Sequence, residues 1–372
     1  MTMDYTFLAT AAFGLEGVAA NELKRLSIPA KAEQGGARFT GTLAQAFNAN
    51  LQLRTADRVV MILAEREARS FEDLFRLVQD VAWERLLPAD AMIHVSGKCV
   101  RSQLMSVSDC QSVAKKAIVD RMLGKLRVSR LPETGVRFPI DINIVRDMAR
   151  VTLDLSGDAL NRRGYRTWNG EAPLRETLAA ALVDLSPWRT RMPLYDPCCG
   201  TGTLLIEAAI KATNRPAGLL RTFACESYPF MPKDEMLALR QAAQAEHQPD
   251  APIQISGSDI DPEALALCNK HISQAGFAGK IITHREDLRN LTVQGPAGVF
   301  LVNPPYGERM SDRESAQGLY RALGLLLKRH PGWQMGVITS DPAFERAFGR
   351  RADKKRRLYN GRLECEFSMF LS

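Results

Sequence analysis

Two consecutive prolines directly after an apolar run restrict the fold of this chain more than any other feature. The apolar run covers residues 298–301, and Val-Asn-Pro-Pro-Tyr follows at 302–306. A short apolar run of this kind predicts a buried parallel strand. Proline donates no backbone hydrogen bond and fixes φ, so the strand must stop there. The sequence therefore predicts a stiff turn at the carboxyl end of a strand, where open α/β sheets bind their ligands.

The groups in this turn suit a planar amine. Asn303 carries a side-chain acceptor and an NH2 donor. The carbonyl of Pro304 is not tied up by a following N–H, because residue 305 is also proline, and Tyr306 offers a flat aromatic face. Two acceptors and an aromatic ring fit the exocyclic amino group of a nucleobase swung out of its stack. We therefore predict methyl transfer to such an amino group, with catalytic residues Asn303, Pro304, Pro305 and Tyr306.

A glycine loop upstream predicts a ligand site. Residues 194–209 have the pattern of a strand end, a glycine loop and a helix. Gly200 and Gly202 permit positive φ and a close approach of the backbone to a ligand, and Thr203 is expected to cap the helix. The loop lacks the third glycine of the dinucleotide fingerprint and the lysine of a P-loop. Asp196, which opens the loop, suits the amino group of an amino-acid-like ligand and not a pyrophosphate.

Two further acidic residues follow two further predicted strands. Asp259 lies near the end of the predicted strand 252–261, where a carboxylate can bind both hydroxyls of a ribose. Asp287 follows the predicted strand 281–284 and could accept from an adenine amino group. The predicted cofactor-binding residues are Asp196, Pro197, Cys198, Cys199, Gly200, Thr201, Gly202, Thr203, Asp259, Ile260, Asp287, Leu288 and Asn303.

Together these motifs resemble the class I S-adenosylmethionine-dependent methyltransferases that act on amino groups. Narrower segments resemble the bacterial 23S ribosomal RNA guanine-N2 methyltransferases that carry a THUMP domain; they lie at 153–158, 162–166, 172–181 and 303–309. The resemblance runs from about residue 5 to the C-terminus. Some members carry a second methyltransferase domain behind the first. This chain ends at Ser372 and is expected to perform only the guanine-N2 reaction.

The resemblance implies an α/β fold. The expected catalytic domain is a Rossmann-like class I methyltransferase with a seven-stranded, mostly parallel sheet and an antiparallel last strand. We expect a ferredoxin-like α+β piece at 1–60, a THUMP RNA-binding domain at 61–160 and the methyltransferase at 161–372. The residues agree with this, because 140–144 and 149–155 alternate as paired strands do and Asn-Gly at 360–361 predicts a hairpin.

Net charge favours an RNA partner. The chain has 49 lysines and arginines against 42 acidic residues, which gives a formal net charge of +7 and favours a polyanion. The expected partner is 23S rRNA or an assembling 50S particle. A cationic helix and the joint between domains supply the predicted RNA contacts, Lys115, Lys116, Arg121, Lys125, Arg162, Arg163 and Arg166. The helix could instead present a solvated face, and the joint arginines could instead pair with acids to fix the domain angle.

Cysteine and apolar patterns restrict the compartment and the cofactors. The seven cysteines show no C-x-x-C pair and no histidine at zinc spacing. We therefore expect reduced thiols in a cytoplasmic protein and no metal. No apolar run approaches ~18 residues, so no membrane span is expected.

These motifs specify the chemistry and leave the substrate open. Guanine N2 in transfer RNA and adenine N6 in nucleic acid present similar amino groups to such a site. A different class of protein, an inactive RNA-binding ribosome-assembly factor, would keep the fold without the chemistry. The intact Asp196, Asp259 and Asn303 speak against it. A long insertion before Asp259 could form part of the substrate wall or be a surface elaboration.

Overall fold

The computed structural model describes residues 4–166, 174–305 and 310–371, and folds them around two seven-stranded sheets. The N-terminal sheet has the order β2-β3-β1-β4-β7-β6-β5, and among its pairs only β5–β6 is parallel. Its strands are β1 (Tyr5–Thr10), β2 (Ala30–Glu33), β3 (Gly36–Gly41), β4 (Arg58–Glu67), β5 (Met92–Val100), β6 (Arg137–Val145) and β7 (Met148–Asp154).

The two pieces expected before residue 160 share this one sheet. The predicted boundary between residues 60 and 61 falls inside β4, which pairs with β1 on one side and β7 on the other. The predicted pairing of 140–144 with 149–155 is confirmed, because β6 and β7 form an antiparallel hairpin.

Helices cover one face of the N-terminal sheet. They are α1 (Glu16–Arg25), α2 (Leu43–Gln52), α3 (Phe71–Gln79) and α4 (Val107–Leu126). Thr42 and Ser70 close capping boxes at the starts of α2 and α3, which satisfies backbone donors that a helix start leaves unpaired. α1 contacts β2 and β3, and α4 contacts β5. The opposite face is open and carries polar side chains of β4, β5, β6 and β7.

The C-terminal sheet has the order β10-β9-β8-β11-β12-β14-β13. Its first five strands are parallel, and β14 runs antiparallel to both β12 and β13. The predicted α/β fold with an antiparallel last strand is confirmed, as is the hairpin at Asn360-Gly361. The strands are β8 (Leu194–Asp196), β9 (Ile255–Asp259), β10 (Ile281–Arg285), β11 (Val299–Val302), β12 (Gln334–Thr339), β13 (Lys354–Asn360) and β14 (Leu363–Phe370).

Helices and apolar clusters cover both faces of the C-terminal sheet. The helices are α5 (Glu176–Leu185), α6 (Thr203–Ala212), α7 (Lys233–Glu246), α8 (Pro262–Gln274), α9 (Met310–Arg329) and α10 (Phe344–Phe348). One apolar cluster continues from the N-terminal sheet into α5 and α6, and another joins Phe300 to Trp333 and Tyr320 on the opposite face. Burial on both faces explains why β11 is apolar at every position. None of the helices in the described ranges is long and apolar enough to cross a membrane.

A buried charge cluster joins the two sheets. Arg54, which follows α2, donates from one guanidinium nitrogen to both carboxylate oxygens of Asp184 on α5 at 2.7 Å. Lys211 on α6 lies 2.8 Å from the same carboxylate, and Glu22 on α1 lies 3.4 Å from Arg54. Burial raises the pKa of Asp184, but the attraction of Arg54 and Lys211 outweighs it and holds the pKa at about 2.

Candidate active site

The strand order places the two predicted motifs beside each other. β8 lies between β9 and β11, and the chain order runs outward from the β8–β11 pair in both directions. This pair is the topological switch point, where a ligand crevice opens outside the carboxyl ends of the strands. The glycine loop follows β8 and Asn303 follows β11. Two motifs that are far apart in the sequence therefore lie at one edge of the sheet.

The predicted glycine conformations are confirmed. Gly200 has φ 49° and Gly202 has φ 85°. A Cβ at Gly202 would lie 2.6 Å from Sγ of Cys268 on α8, whereas a Cβ at Gly200 would meet nothing within 4 Å. Gly202 is thus required by the contact with α8, and Gly200 leaves space on the open side of the loop.

The expected helix cap at Thr203 is wrong. Thr203 is the first residue of α6, Gly202 occupies the cap position, and no side chain caps this helix. The left-handed φ of Gly202 brings the chain into the helix one residue earlier than the sequence pattern suggests. The hydroxyl of Thr203 instead accepts a hydrogen bond from Arg166.

Three carboxylates lie around the loop. Asp196 ends β8, Asp259 ends β9, and Asp287 follows β10 by two residues. Asp196 is only 2% exposed, and its carboxylate accepts from the N–H of Cys198 at 3.1 Å. Burial raises the pKa of Asp196 well above its usual range, and the charge of Asp259 adds to this. Burial likewise raises the pKa of the Cys198 thiol, with further contributions from all three carboxylates. The site therefore gathers carboxyl groups whose charged forms a cationic ligand group would stabilise.

Asp259 also braces the glycine loop. One of its oxygens accepts from the N–H of Gly200 at 2.8 Å and the other from the N–H of Asp261 at 3.0 Å. A carboxylate has about four acceptor positions, so capacity for ribose hydroxyls remains. Among the neighbouring predicted residues Ile260 is exposed and Leu288 is buried, and Asp287 pairs with Arg289 at 3.1 Å.

The Asn-Pro-Pro turn contacts Tyr320, a residue that no sequence motif indicates. Asn303 is half-buried, Pro304 is buried and Pro305 is exposed, while Tyr306 lies outside the described residues. The hydroxyl of Tyr320 on α9 lies 3.5 Å from the Pro305 carbonyl and 3.2 Å from the hydroxyl of Thr339 at the end of β12. Burial raises the pKa of Tyr320, which keeps it a hydrogen-bond donor. No motif marks Tyr320, because its partners belong to other elements.

Arg163 and Arg166, two of the predicted RNA contacts, are each paired with a carboxylate. Arg163 is 2% exposed, pairs with Glu207 at 3.3 Å and donates to the Leu160 carbonyl at 2.6 Å. The side chain of Arg166 is buried against Glu176 at 3.3 Å. Guanidinium groups that are buried and already paired do not reach a phosphate. The structure therefore favours the alternative interpretation, in which joint arginines fix the domain angle, and Arg162 alone of the three is exposed.

The predicted RNA contacts on the cationic helix, α4, also include both paired and exposed side chains. Arg121 makes a two-fold pair with Glu84 at 2.8 and 2.9 Å and donates to the Gln79 carbonyl, so an RNA phosphate would have to compete with Glu84 for it. The hydrogen bond from Arg121 lowers the pKa of Glu84 to about 2. Lys115 lies 2.9 Å from Glu133. Lys116 and Lys125 are exposed, and their RNA contacts remain predictions.

Residues 4–166, 174–305 and 310–371 contain no group of three or more histidine, cysteine or acidic side chains placed to hold a metal ion.

Three known domain families match the chain. The RMKL-like methyltransferase domain matches residues 163–368, which is more than half of the sequence. The RlmL ferredoxin-like domain matches residues 6–60, and the THUMP domain matches residues 68–154.

Individual relatives cover the whole length of the chain. The Bacillus subtilis protein named "Putative RNA methyltransferase YpsC" is 36% identical over 99% of this chain and 96% of its own length. Ribosomal RNA large subunit methyltransferase K/L of Methylococcus capsulatus is also 36% identical, and the chain spans about half of it, 52%. The crystal structure of SMU.472 complexed with SAH superposes with a TM-score of 0.95 at 36% identity, covering 100% of this chain and 99% of SMU.472.

Proposed function

The chain belongs to the RMKL-like methyltransferase family with RlmL ferredoxin-like and THUMP domains, and we propose that it methylates the exocyclic N2 of a guanine in 23S rRNA. The coarser assignment, an S-adenosylmethionine-dependent RNA methyltransferase, follows from the family. The site geometry carries the methyl-transfer part of this proposal, and the choice of guanine N2 in 23S rRNA rests on the resemblance of residues 153–158, 162–166, 172–181 and 303–309. The glycine loop, three carboxylates and Asn303 meet at the switch point of the C-terminal sheet.

The site fits S-adenosylmethionine on two observations. Asp196 is a carboxyl group whose pKa is raised by burial, and the cofactor's ammonium group would stabilise its charged form. Gly200 leaves open space where a side chain would intrude on a ligand. Asp196 would therefore hold the amino-acid end, Asp259 the ribose hydroxyls and Asp287 the adenine amino group. When bound, the cofactor supplies an electrophilic methyl group.

The Asn-Pro-Pro turn would position and activate the amino group. The lone pair of an exocyclic amine is delocalised into the base, so the nitrogen is a poor nucleophile. The side-chain oxygen of Asn303 and the carbonyl of Pro304 would accept hydrogen bonds from the amino group and aim its lone pair. They would also stabilise the positive charge that develops on the nitrogen. Tyr320 contributes by holding the Pro305 carbonyl, so that the turn keeps one geometry.

The base must leave its stack to reach this turn. A switch-point crevice does not admit an intact duplex, so the target guanine would be unstacked or flipped. Tyr306 is proposed to stack on the base.

RNA is the favoured substrate class for two independent reasons. A THUMP match covers residues 68–154, and the relatives from Bacillus subtilis and Methylococcus capsulatus are named as RNA methyltransferases. The net charge of +7 favours a polyanion. We propose large-subunit rRNA, either naked or in an assembling particle, because the K/L relative is named for it. Such a substrate would place the reaction in the cytoplasm.

The test uses purified protein and tritiated S-adenosylmethionine. Unmodified large-subunit rRNA, assembling large-subunit particles, transfer RNA and DNA are offered separately, and the products are analysed as nucleosides. N2-methylguanosine in the rRNA or particle pool alone is the expected result. Label in transfer RNA or as N6-methyladenine would replace the proposed substrate and keep the chemistry. The absence of label from every pool, without thermal stabilisation by the cofactor, would favour the inactive assembly factor.

A further inference from the structure

A large pocket lined by arginines lies at the joint between the two halves of the molecule. Its volume is about 1230 Å³. One wall comes from residues 158–166 and the start of α5, and the other from the insertion between α6 and β9. The arginines that line it are Arg162, Arg163, Arg166, Arg175, Arg221 and Arg240.

The insertion forms a fixed wall of this pocket. The N–H groups of Ala224 and Cys225 donate to the carbonyls of Ser156 and Leu155 at 3.2 and 3.1 Å. The ring of Phe223 also packs edge-on against Phe47 of α2. These contacts attach the insertion to the N-terminal half, so the arginines it contributes keep a defined position.

The pocket adjoins the glycine loop. Arg166 lines it, donates to the hydroxyl of Thr203 at the start of α6, and pairs with Glu176 at the start of α5. A ligand in this pocket would therefore lie next to the end of the loop where the cofactor site is proposed.

Positive charge in the pocket exceeds negative charge. Six arginines face three carboxylates in the lining, and Arg163 also pairs with Glu207 behind it, which leaves an excess of two positive charges. Glu176 forms an ion pair with Arg166, and Glu226 forms one with Arg240 at 2.7 Å. Asp158 pairs with Arg162 at 3.3 Å, but both side chains are 71% exposed, and such pairs contribute little.

Two of the arginines have no carboxylate partner within the described ranges. Arg221 donates to the carbonyls of Asp158 and Ala159 at 2.6 Å and lies 5.2 Å from the ring of Phe223. Burial lowers the pKa of Arg221, so its charge is poorly solvated and an anion would stabilise it. Arg175 precedes α5, is exposed, and makes no ion pair with any described residue.

The open face of the N-terminal sheet provides a contrast. That groove is of similar size, about 1330 Å³, but five lysines and arginines there face five carboxylates. Its charges balance, so an excess of positive charge is a property of the arginine pocket and not of every cleft in this basic protein.

We propose that the arginine pocket binds phosphodiester groups of the substrate RNA next to the proposed cofactor site. This inference rests on the proposed function and names a second contact region for the same substrate. Guanidinium groups match phosphate oxygens with paired N–H donors and stay charged at every working pH. Contacts of this kind set the register of the strand and carry no base identity. Arg162 and Arg175 contact the phosphates, and Arg221 supplies charge from the wall.

The test compares two double variants with the same change in net charge. Arg162→Gln with Arg175→Gln removes the two exposed pocket cations, and Lys24→Gln with Lys31→Gln removes two exposed cations outside the THUMP range and the pocket. Binding of an unmodified large-subunit rRNA transcript is measured by filter binding over a range of salt concentrations. The pocket variant should raise Kd roughly tenfold and reduce the salt slope by about 1.5, and the control variant should leave both near wild type.

Two further measurements separate a failure of the pocket proposal from misfolding of a variant and from a failure of the proposed function. Thermal unfolding and cofactor-dependent stabilisation should be unchanged in both variants, because the substituted side chains are exposed and lie outside the cofactor loop. Equal effects of the two variants on Kd and slope, or no effect of the pocket variant, would overturn the pocket while wild-type methyl transfer still supports the proposed function. A wild-type protein that neither binds nor methylates RNA would overturn both.

Discussion

The two sheets have seven strands each, yet they distribute their side chains differently. In the N-terminal sheet most neighbours are antiparallel, so successive strand ends point to opposite edges. In the C-terminal sheet five strands are parallel, and all their carboxyl ends meet at one edge. Asp196, Asp259 and Asn303 lie close together for this reason alone. The parallel strands bring the functional side chains at their ends to one edge, whereas the antiparallel sheet distributes its strand ends over two edges.

The charges of the two sheets differ in the same sense. On the N-terminal sheet Arg38 and Arg150 pair with Glu33 and Glu65 at 2.6 to 2.9 Å, so these charges neutralise each other. At the carboxyl edge of the C-terminal sheet Asp196 is buried without a cationic partner in the described ranges. An acidic residue without a cationic partner among the described residues therefore lies at the proposed cofactor site, whereas the charged residues of the N-terminal sheet are paired with each other.

The largest effect is expected where the two sheets join. Asp184→Asn would leave Arg54 and Lys211 buried beside a neutral amide, and should cost roughly 3–5 kcal/mol of unfolding free energy. The carboxylate is 3% exposed, and its pKa of about 2 lies below the unfolded value of about 3.9. Its contribution is therefore complete above about pH 4 and is lost as pH falls toward 2. Urea unfolding at pH 7 and pH 3 measures both effects.

Asp80→Asn provides the control for this prediction. Asp80 also pairs with an arginine, Arg66 at 3.5 Å, but both side chains are mostly exposed. Its loss should cost less than about 1 kcal/mol. Equal losses from the two substitutions would mean that the joint between the sheets does not depend on Asp184.

The next largest effect tests whether the parallel edge holds the chemistry. Asn303→Ala should lower the rate of methyl transfer roughly 10²–10³-fold, because one acceptor aimed at developing charge is lost. Cofactor affinity should change much less than the rate, because Asn303 is only one of the predicted cofactor contacts. Single-turnover transfer and calorimetric cofactor binding are measured on the same preparation. Loss of both together would mean that Asn303 holds the cofactor or the fold.

A smaller effect tests the uncompensated carboxylate. Asp196→Asn should weaken binding of S-adenosylmethionine roughly 10–100-fold, because a charge-assisted hydrogen bond becomes a neutral one. Burial raises the pKa of Asp196, so wild-type affinity should fall as decreasing pH protonates the carboxylate, and the asparagine variant should lose this dependence. Calorimetry at pH 8 and pH 5 distinguishes the two. Identical pH profiles would assign the ammonium group to another residue.

The smallest effect belongs to the open antiparallel face. Arg150→Ala removes pairs with Glu33 at 2.9 Å and Glu65 at 2.6 Å, but these side chains are partly exposed. The expected cost is below about 1 kcal/mol and should shrink further in salt. Thermal unfolding at low and high ionic strength measures it. A loss above about 2 kcal/mol would show that this face contributes to stability as the buried joint does.

Much of the fold and part of the site could be predicted because their causes are local. Two prolines stop β11 wherever it lies, and glycines at 200 and 202 permit the positive φ that the loop adopts. Period-two alternation predicted the β6–β7 hairpin, and Asn360-Gly361 predicted the turn between β13 and β14. Each of these signals acts within a few residues, so no knowledge of the tertiary structure is needed.

Apart from the helix cap at Thr203, the sequence could not show which side chains pair with groups on other segments. Arg121, Arg163 and Arg166 look like surface cations in the sequence, but each is paired with an acid on another segment. Sequence spacing carries no information on such pairs, because ion pairing depends on distance in space and on burial. Tyr320 was missed for the same reason.

The sequence by itself determined which residue types stand at strand ends and which turns the backbone can make. Only the tertiary structure decided that the glycine loop and Asn303 are neighbours, that Arg163 at the joint is buried, and that an arginine pocket lies between the halves. The physical reason is the range of the forces involved. Backbone sterics act over adjacent residues, whereas charge, hydrogen bonding and burial act between whatever groups the fold brings within a few ångströms.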